Sequence, residues 1–336
     1  MKFISQHPSS SLKLGVKTLI FLLSITVFVV VVAWRAAARE RAANDAHPPL
    51  GQMIEVDGVN VHAHVSGSGP DIVLLHGASG NLRDFTFDLV PRLEDRYRVI
   101  AFDRPGMGHT DRLPGKSGAW NTTFESPQEQ AALLQKAAAQ LGADAPIVLG
   151  HSYGGAVALA WALQHPEDTP AVVLVGAVAE PWPGGLGWFY NVLSSTAGGA
   201  LLVPPATAFL PQSYLERSID IIFAPQSPPA GYNTHVGADL SVRRFSARAN
   251  AQQVNGLRPF VVEMQKQYDT LKMPIEVIHG TADTIVPADI HANVFAAEVP
   301  SANLVMLDGV GHMPHHADPD ATIAAIDRAA ARAGLR

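Results

Sequence analysis

The chain contains no cysteine. That absence excludes disulfides, thiolate metal sites and a cysteine nucleophile, and it leaves the compartment open, because a chain without thiols tolerates any redox environment. Charge is also scarce: 16% of the 336 residues are Asp, Glu, Lys or Arg, the net charge is −6, and no block of Lys and Arg offers a face to phosphates. Nucleic acid is excluded as a partner on that ground. No internal repeat divides the sequence. What the chain does have is apolar mass, 47% by residue, enough to bury a large core in one α/β domain with an insertion or in two domains.

The first fifty residues are a different material from the rest. Thr18 to Trp34 carries no charge, with Lys2, Lys13 and Lys17 before it and Arg35, Arg39 and Arg41 after it. Its length is at the short end for a membrane span, which Lys17 and Trp34 extend at the two interfaces. The expectation is a basic tail over 1–17, a single transmembrane signal anchor over 18–34 and a linker over 35–50. Lys and Arg are nearly balanced about the span, and the N-terminal amine tips the orientation towards a catalytic domain on the extracytoplasmic side. The alternative is a cleaved signal peptide and a secreted protein, with Ala36-Ala37-Ala38 as the small-residue site.

From Gly51 the pattern alternates. Met53–Val56 and Val59–Val65 flank Asp57-Gly58, a turn pair that favours a two-residue hairpin. Apolar runs at Ile72–Leu75, Arg98–Phe102, Ile147–Leu149, Val172–Val175, Ile275–His279 and Asn303–Leu307 read as strands buried on both faces of a largely parallel sheet. Helices are expected near Asn81–Glu94, from the capping box Ser126-Pro127-Gln128-Glu129 to about Leu141, and after Asp318-Pro319. Strand and helix alternate, so the class is α/β with helices on both sheet faces. The rhythm breaks between Val175 and Ile275. There, Pro181–Lys272 is rich in Pro, Gly and aromatics and is read as a helical lid inserted after the sixth strand, over the sheet's ligand-binding edge. The core is then 51–180 and 273–336, and the lid 181–272.

Gly150-His151-Ser152-Tyr153-Gly154 is a sharp strand-to-helix turn that holds a serine hydroxyl at a helix N-terminus. A serine needs a base within hydrogen-bond reach and a group to orient that base. His312 follows a glycine loop after the last strand and is preferred over His315 and His316, which read as a solvated loop. Asp283, just after the seventh strand, is the preferred acid, and Glu180, past the sixth, is the alternative. A metal site built on His312, His315 and His316 lacks an acidic or histidine partner at helical spacing, so no metal is assigned.

Together with His76-Gly77-Ala78-Ser79 and Asp103-Arg104-Pro105-Gly106-Met107-Gly108, these motifs resemble the α/β-hydrolase superfamily. The similarity is to its lid-bearing group of epoxide hydrolases, haloalkane dehalogenases, cofactor-free haloperoxidases and C–C hydrolases. The resemblance covers about Met53 to the C-terminus and implies a mostly parallel eight-stranded sheet. It implies Ser152 as nucleophile, His312 as general base, Asp283 as its orienter, the backbone N–H groups of Ala78 and Tyr153 as oxyanion hole, and Gly77, His76, Gly150, His151 and Gly154 as supports. Asp103 and Arg104 belong to a structural loop behind the site. Serine at the elbow, where epoxide hydrolases and dehalogenases place aspartate, argues against those two chemistries. The activity implied is cofactor-free hydrolysis of a small-molecule or lipid-like carboxylic ester, with C–C hydrolysis or perhydrolysis as the alternative. A non-catalytic ligand-binding module on the same fold would bind without turnover.

Overall fold

A computed structural model describes residues 10–336 of the chain; residues 1–9, the larger part of the expected basic tail, lie outside the described residues. In chain order the elements are α1 (Ser10–Ala46), β1 (Gln52–Val56), β2 (Val59–Ser66), β3 (Asp71–Leu75), α2 (Arg83–Thr86), α3 (Leu89–Leu93), β4 (Arg98–Phe102), α4 (Pro127–Gln140), β5 (Ile147–His151), α5 (Tyr153–Gln164) and β6 (Val172–Val175). Between the sixth and seventh strands come α6 (Trp188–Ser194), α7 (Thr196–Leu201), α8 (Val203–Phe209), α9 (Gln212–Phe223), α10 (Tyr232–Val236) and α11 (Arg244–Gln265). The chain closes with β7 (Ile275–Gly280), α12 (Ala292–Glu298), β8 (Ala302–Leu307), α13 (Pro314–Ala317) and α14 (Pro319–Arg332).

The eight strands form one sheet in the order β1-β2-β4-β3-β5-β6-β7-β8. β1 and β2 run antiparallel to their neighbours and the remaining pairs are parallel. The hairpin turns where Asp57-Gly58 predicts it, with both residues at positive φ, the twist that a two-residue turn requires. Central strands β5 and β6 are buried along their whole length, which is why their sequences are apolar runs without alternation. Two apolar layers result, one holding Val73, Leu75, Val148 and Trp161 and the other Ile72, Leu74, Phe85 and Ile326. Removing a branched side chain from either layer forfeits roughly 1.5–3 kcal/mol of burial. On α4 the capping box forms as its sequence dictates: the Ser126 hydroxyl accepts from Glu129 N–H and the Glu129 carboxylate accepts from Ser126 N–H.

Two expectations are corrected. The single helix predicted over 81–94 is two short ones, because Pro91 has no N–H to give the Phe87 carbonyl and its ring crowds that carbonyl; the chain breaks at Phe87-Asp88. The predicted linker over 35–50 is helical as far as Ala46, continuous with the apolar stretch before it. It stays helical because one side of it packs on the insertion: Val32 and Ala36 meet Ala208 of α8, and Glu40 forms an ion pair with Arg244 at 2.8 Å. α1 is long and apolar enough to cross a membrane.

Candidate active site

Ser152 sits between β5 and α5 at φ 54°, ψ −119°, a conformation that costs a non-glycine residue energy and persists only where its surroundings enforce it. The enforcement is visible. Ser152 N–H donates to the Val175 carbonyl of β6 at 3.1 Å, and its own carbonyl accepts from Val178 N–H at 3.0 Å. The glycines on either side allow close approach: a Cβ on Gly154 would run into the Leu75 carbonyl of β3, and one on Gly150 into the backbone of Gly154. The serine hydroxyl is thereby aimed off the C-terminal edge of the sheet, with the start of α5 behind it.

The β7 and β8 loops bring two groups to that hydroxyl. His312 Nε2 lies 2.9 Å from Ser152 Oγ and its Nδ1 lies 2.8 Å from Asp283 Oδ2. Asp283 is fixed from its other side, where Oδ1 accepts from the N–H groups of Ile285 and Val286, both at 2.9 Å, and His279 Nε2 stands 3.3 Å from Oδ2. Burial alone would push the Asp283 carboxyl up, but the hydrogen bonds from His279, His312 and Val286 N–H outweigh it and hold the group far below the ordinary carboxylate range. An ionised carboxylate on Nδ1 leaves Nε2 free to take a proton from the hydroxyl. Glu180 does not compete: both its oxygens are buried without a hydrogen-bond partner among the described residues, and burial pushes its carboxyl up to about 8.

A second loop faces the serine. Gly77 is so close that a Cβ there would come within 3.0 Å of Ser152 Cβ. The N–H of Ala78 finds no acceptor among the described residues, whereas the next N–H, that of Ser79, donates to Asn250 Oδ1 at 2.7 Å. The Tyr153 N–H opens α5 and has no carbonyl one turn back to bond. Two free donors are thus left beside a hydroxyl at a helix N-terminus, an arrangement suited to negative charge. Arg104, fully buried, donates to the His76 and Gly77 carbonyls at 2.8 and 2.9 Å and to Gln130 and Gln253, bolting this loop to α4 and α11. His76 Nε2 accepts from Arg104 N–H at 3.0 Å, and His151 Nε2–H donates to the His312 carbonyl at 3.0 Å. Asp103 ties the loop after β4 to β2 through His62 at 2.6 Å.

The loop at His315 and His316 is not solvated, contrary to expectation. Both imidazoles are buried on Asp84 of α2, with Nε2 at 3.1 and 2.8 Å from its carboxylate, and the Tyr232 hydroxyl of α10 donates to the same carboxylate at 2.8 Å. Burial would raise the Asp84 carboxyl, but His315 and His316 hold it well below its ordinary value. Asp84 is the acidic partner that the sequence did not provide, and it lies more than two hundred positions upstream. These three side chains form a group that could hold a cation. His312 stands outside it, committed to Ser152 and Asp283. Metal-bound imidazoles as a rule donate their far N–H to a partner, and the Nδ1 atoms of His315 and His316 have none among the described residues. A carboxylate fastened by three donors is the simpler description. Asn250, which steadies Ser79 from 171 positions away, was equally invisible in the sequence.

The sheet order, the insertion between the sixth and seventh strands and a serine at a strand-to-helix corner define a class, and residues 72–325 match the Alpha/beta hydrolase family. The chain belongs to that family. An uncharacterized protein of Mycobacterium tuberculosis is 28% identical over 301 residues, 86% of this chain and 83% of its own. A pimeloyl-[acyl-carrier protein] methyl ester esterase of Aromatoleum aromaticum is 29% identical over 262 residues, covering 75% of this chain and 94% of its own. Among solved structures, a membrane phospholipase A superposes with a TM-score of 0.65 at 20% identity, over 94% of this chain and 99% of that one.

Proposed function

We propose that the protein is a serine hydrolase of carboxylic esters, held to a membrane by α1 with its catalytic domain on the extracytoplasmic side. The observation that carries the reading is the unbroken line Ser152 Oγ, His312 Nε2, His312 Nδ1, Asp283 Oδ2, with separations of 2.9 and 2.8 Å. In the proposed reaction His312 takes the Ser152 proton as Oγ attacks the ester carbonyl. The resulting oxyanion is held by the N–H groups of Ala78 and Tyr153, each worth about a hundredfold or more in rate. The tetrahedral intermediate collapses as His312 returns the proton to the departing alcohol. Water, deprotonated by the same imidazole, then releases the acid from the acyl-enzyme. Asp283 keeps the imidazole in the required tautomer and offsets its charge.

Ser152 is 8% exposed, and in this reading the insertion over 181–272 acts as a lid that shifts to admit substrate. The esterase among the relatives supports ester chemistry, and the name of the structurally similar phospholipase puts lipid esters among the substrates to test. Retention of α1 is supported by Ala36, which a signal-peptide reading would place at a cleavage site and which is buried against the insertion. A fluorophosphonate probe is expected to label the wild type and not Ser152→Ala; equal labelling of both overturns the mechanism. A panel of esters graded by acyl length, with a vinylogous diketone alongside, separates ester from C–C cleavage.

A further inference from the structure

Two charge-free stretches of this chain lie side by side. One is Thr18–Trp34 in α1; the other runs from Pro181 to Leu215 across α6, α7 and α8. They meet in space. Val32 and Ala36, at the end of the first stretch, pack on Ala208 in the second. Arg35 Nε donates to the Ala208 carbonyl at 2.8 Å, and its guanidinium lies 5.2 Å above the Phe209 ring.

The order of contacts along α1 fixes what lies nearest the apolar stretch. After Arg35, Arg39 donates to the Leu210 carbonyl at 2.5 Å, then Glu40 pairs with Arg244 of α11, and Asn44 accepts from Arg243 at 2.7 Å. Among the described residues, hydrogen bonds to the α/β core come past the helix end, where the His47 carbonyl accepts from His109 and the Pro48 carbonyl from Arg83. At 1.5 Å per residue, the core contacts lie roughly 20 Å beyond Val32 along the axis. α8 is therefore level with the last turn of the apolar stretch, and the insertion lies between that stretch and the core.

Exposed apolar side chains stand on all three helices of the second stretch and in the junction between α7 and α8. Leu201 and Leu202 are 61% and 49% exposed, Phe209 47% and Trp188 75%, with Phe189 beside it. A patch of this kind marks an interaction surface. Trp and Arg, here Trp188 and the Arg35 that lies over Phe209, are residues that settle at the boundary between hydrocarbon and headgroups.

We propose that this face of α6, α7 and α8 docks into the surface of the lipid bilayer that α1 crosses, so that the insertion over Ser152 rests on lipid and the site is supplied with lipid esters from that leaflet. The proposal rests on α1 being a retained anchor. The bilayer is favoured over a second copy of the chain as occupant because the patch is continuous with the apolar end of α1, and that end is surrounded by lipid wherever α1 spans.

The test reconstitutes the full chain in phosphatidylcholine vesicles and in the same vesicles with brominated acyl chains. The contribution of Trp188 is isolated by subtracting the emission of Trp188→Phe. Docking predicts that the Trp188 emission falls by half or more in the brominated vesicles. It also predicts that Leu201→Asp/Leu202→Asp loses tenfold or more of the rate on a vesicle phospholipid while keeping the rate on a dissolved short-chain ester within twofold. If the double variant does not fold, the Trp188 quenching decides alone. Unquenched Trp188 in protein that floats with the vesicles overturns the docking and leaves the anchor standing. Protein that does not float overturns both. Unquenched Trp188 together with an oligomer that the double variant dissociates overturns the docking in favour of a contact between copies. Quenched Trp188 with no hydrolysis of either ester upholds the docking and sinks the esterase reading.

Discussion

The loop 312–316 serves two acid–histidine groups that are built from the same parts and end differently. His312 places one nitrogen on Asp283 and the other on the Ser152 hydroxyl. His315 and His316, a few residues on, each place one nitrogen on Asp84, and the other nitrogen has no hydrogen-bond partner among the described residues. Both carboxylates are buried, and both are held below their ordinary range by imidazoles. Burial and a depressed acid therefore do not distinguish a reactive group from a fastening. What distinguishes them is that His312 has a hydroxyl on its far side and that the N–H groups of Ala78 and Tyr153 stand without acceptors among the described residues; the proposed reaction uses both.

Substitutions on the two sides should separate by orders of magnitude. Ser152→Ala is expected to lower kcat on a chromogenic ester by about 10⁴-fold or more, and Asp283→Asn by a comparable factor because the imidazole takes the wrong tautomer. Asp84→Asn should leave kcat within tenfold while lowering the unfolding free energy by about 3 kcal/mol, the usual cost of breaking a buried charged network, read from the urea midpoint. A loss of activity as large as that of Asp283→Asn, in protein of unchanged stability, would erase the distinction. Asn250→Ala frees the Ser79 N–H and slackens the loop carrying Ala78. A loss of about tenfold in kcat with little change in KM is expected, less than the loss of a donor itself.

The effect that touches stability alone concerns the acid that has no hydrogen-bond partner among the described residues. Glu180 is pushed from 4.5 to about 8 by burial, with Glu298 adding to the shift. The folded protein keeps that proton up to about pH 8, while the unfolded chain gives it up from about 4.5. Wild type therefore loses stability as pH rises across that window. Glu180→Gln has no proton to lose there, so its advantage in Tm over the wild type should grow from pH 5 to pH 8 and then level off. A difference independent of pH would show that the carboxyl is ionised throughout.

The sheet was legible because parallel strands buried on both faces must be apolar runs, and the elbow because only small residues admit so tight a turn. Within the candidate site, Ser152, His312 and Asp283 could be found because each follows a strand, and strand ends share one edge of the sheet. Asp84 and Asn250 could not. They reach their partners from α2 and from α11 of the insertion, across separations that periodicity does not encode, and a buried histidine pair beside an Asp-Pro turn reads like any polar loop. The helix past Trp34 was hidden for a related reason: Arg35, Arg39 and Glu40 look like a solvated linker until Ala208, Leu210 and Arg244 are seen to receive them.

That helix has a mechanical consequence. Because α1 is unbroken from its apolar stretch to Ala46 and is fastened to the insertion at Arg35, Arg39, Glu40 and Asn44, it would have no joint at the water boundary if it spans a bilayer as proposed. A span that leans to match a thinner bilayer would tilt the whole enzymatic body by the same angle, as a mast tilts with its deck. Membrane thickness would then set the attitude at which the insertion faces the lipid.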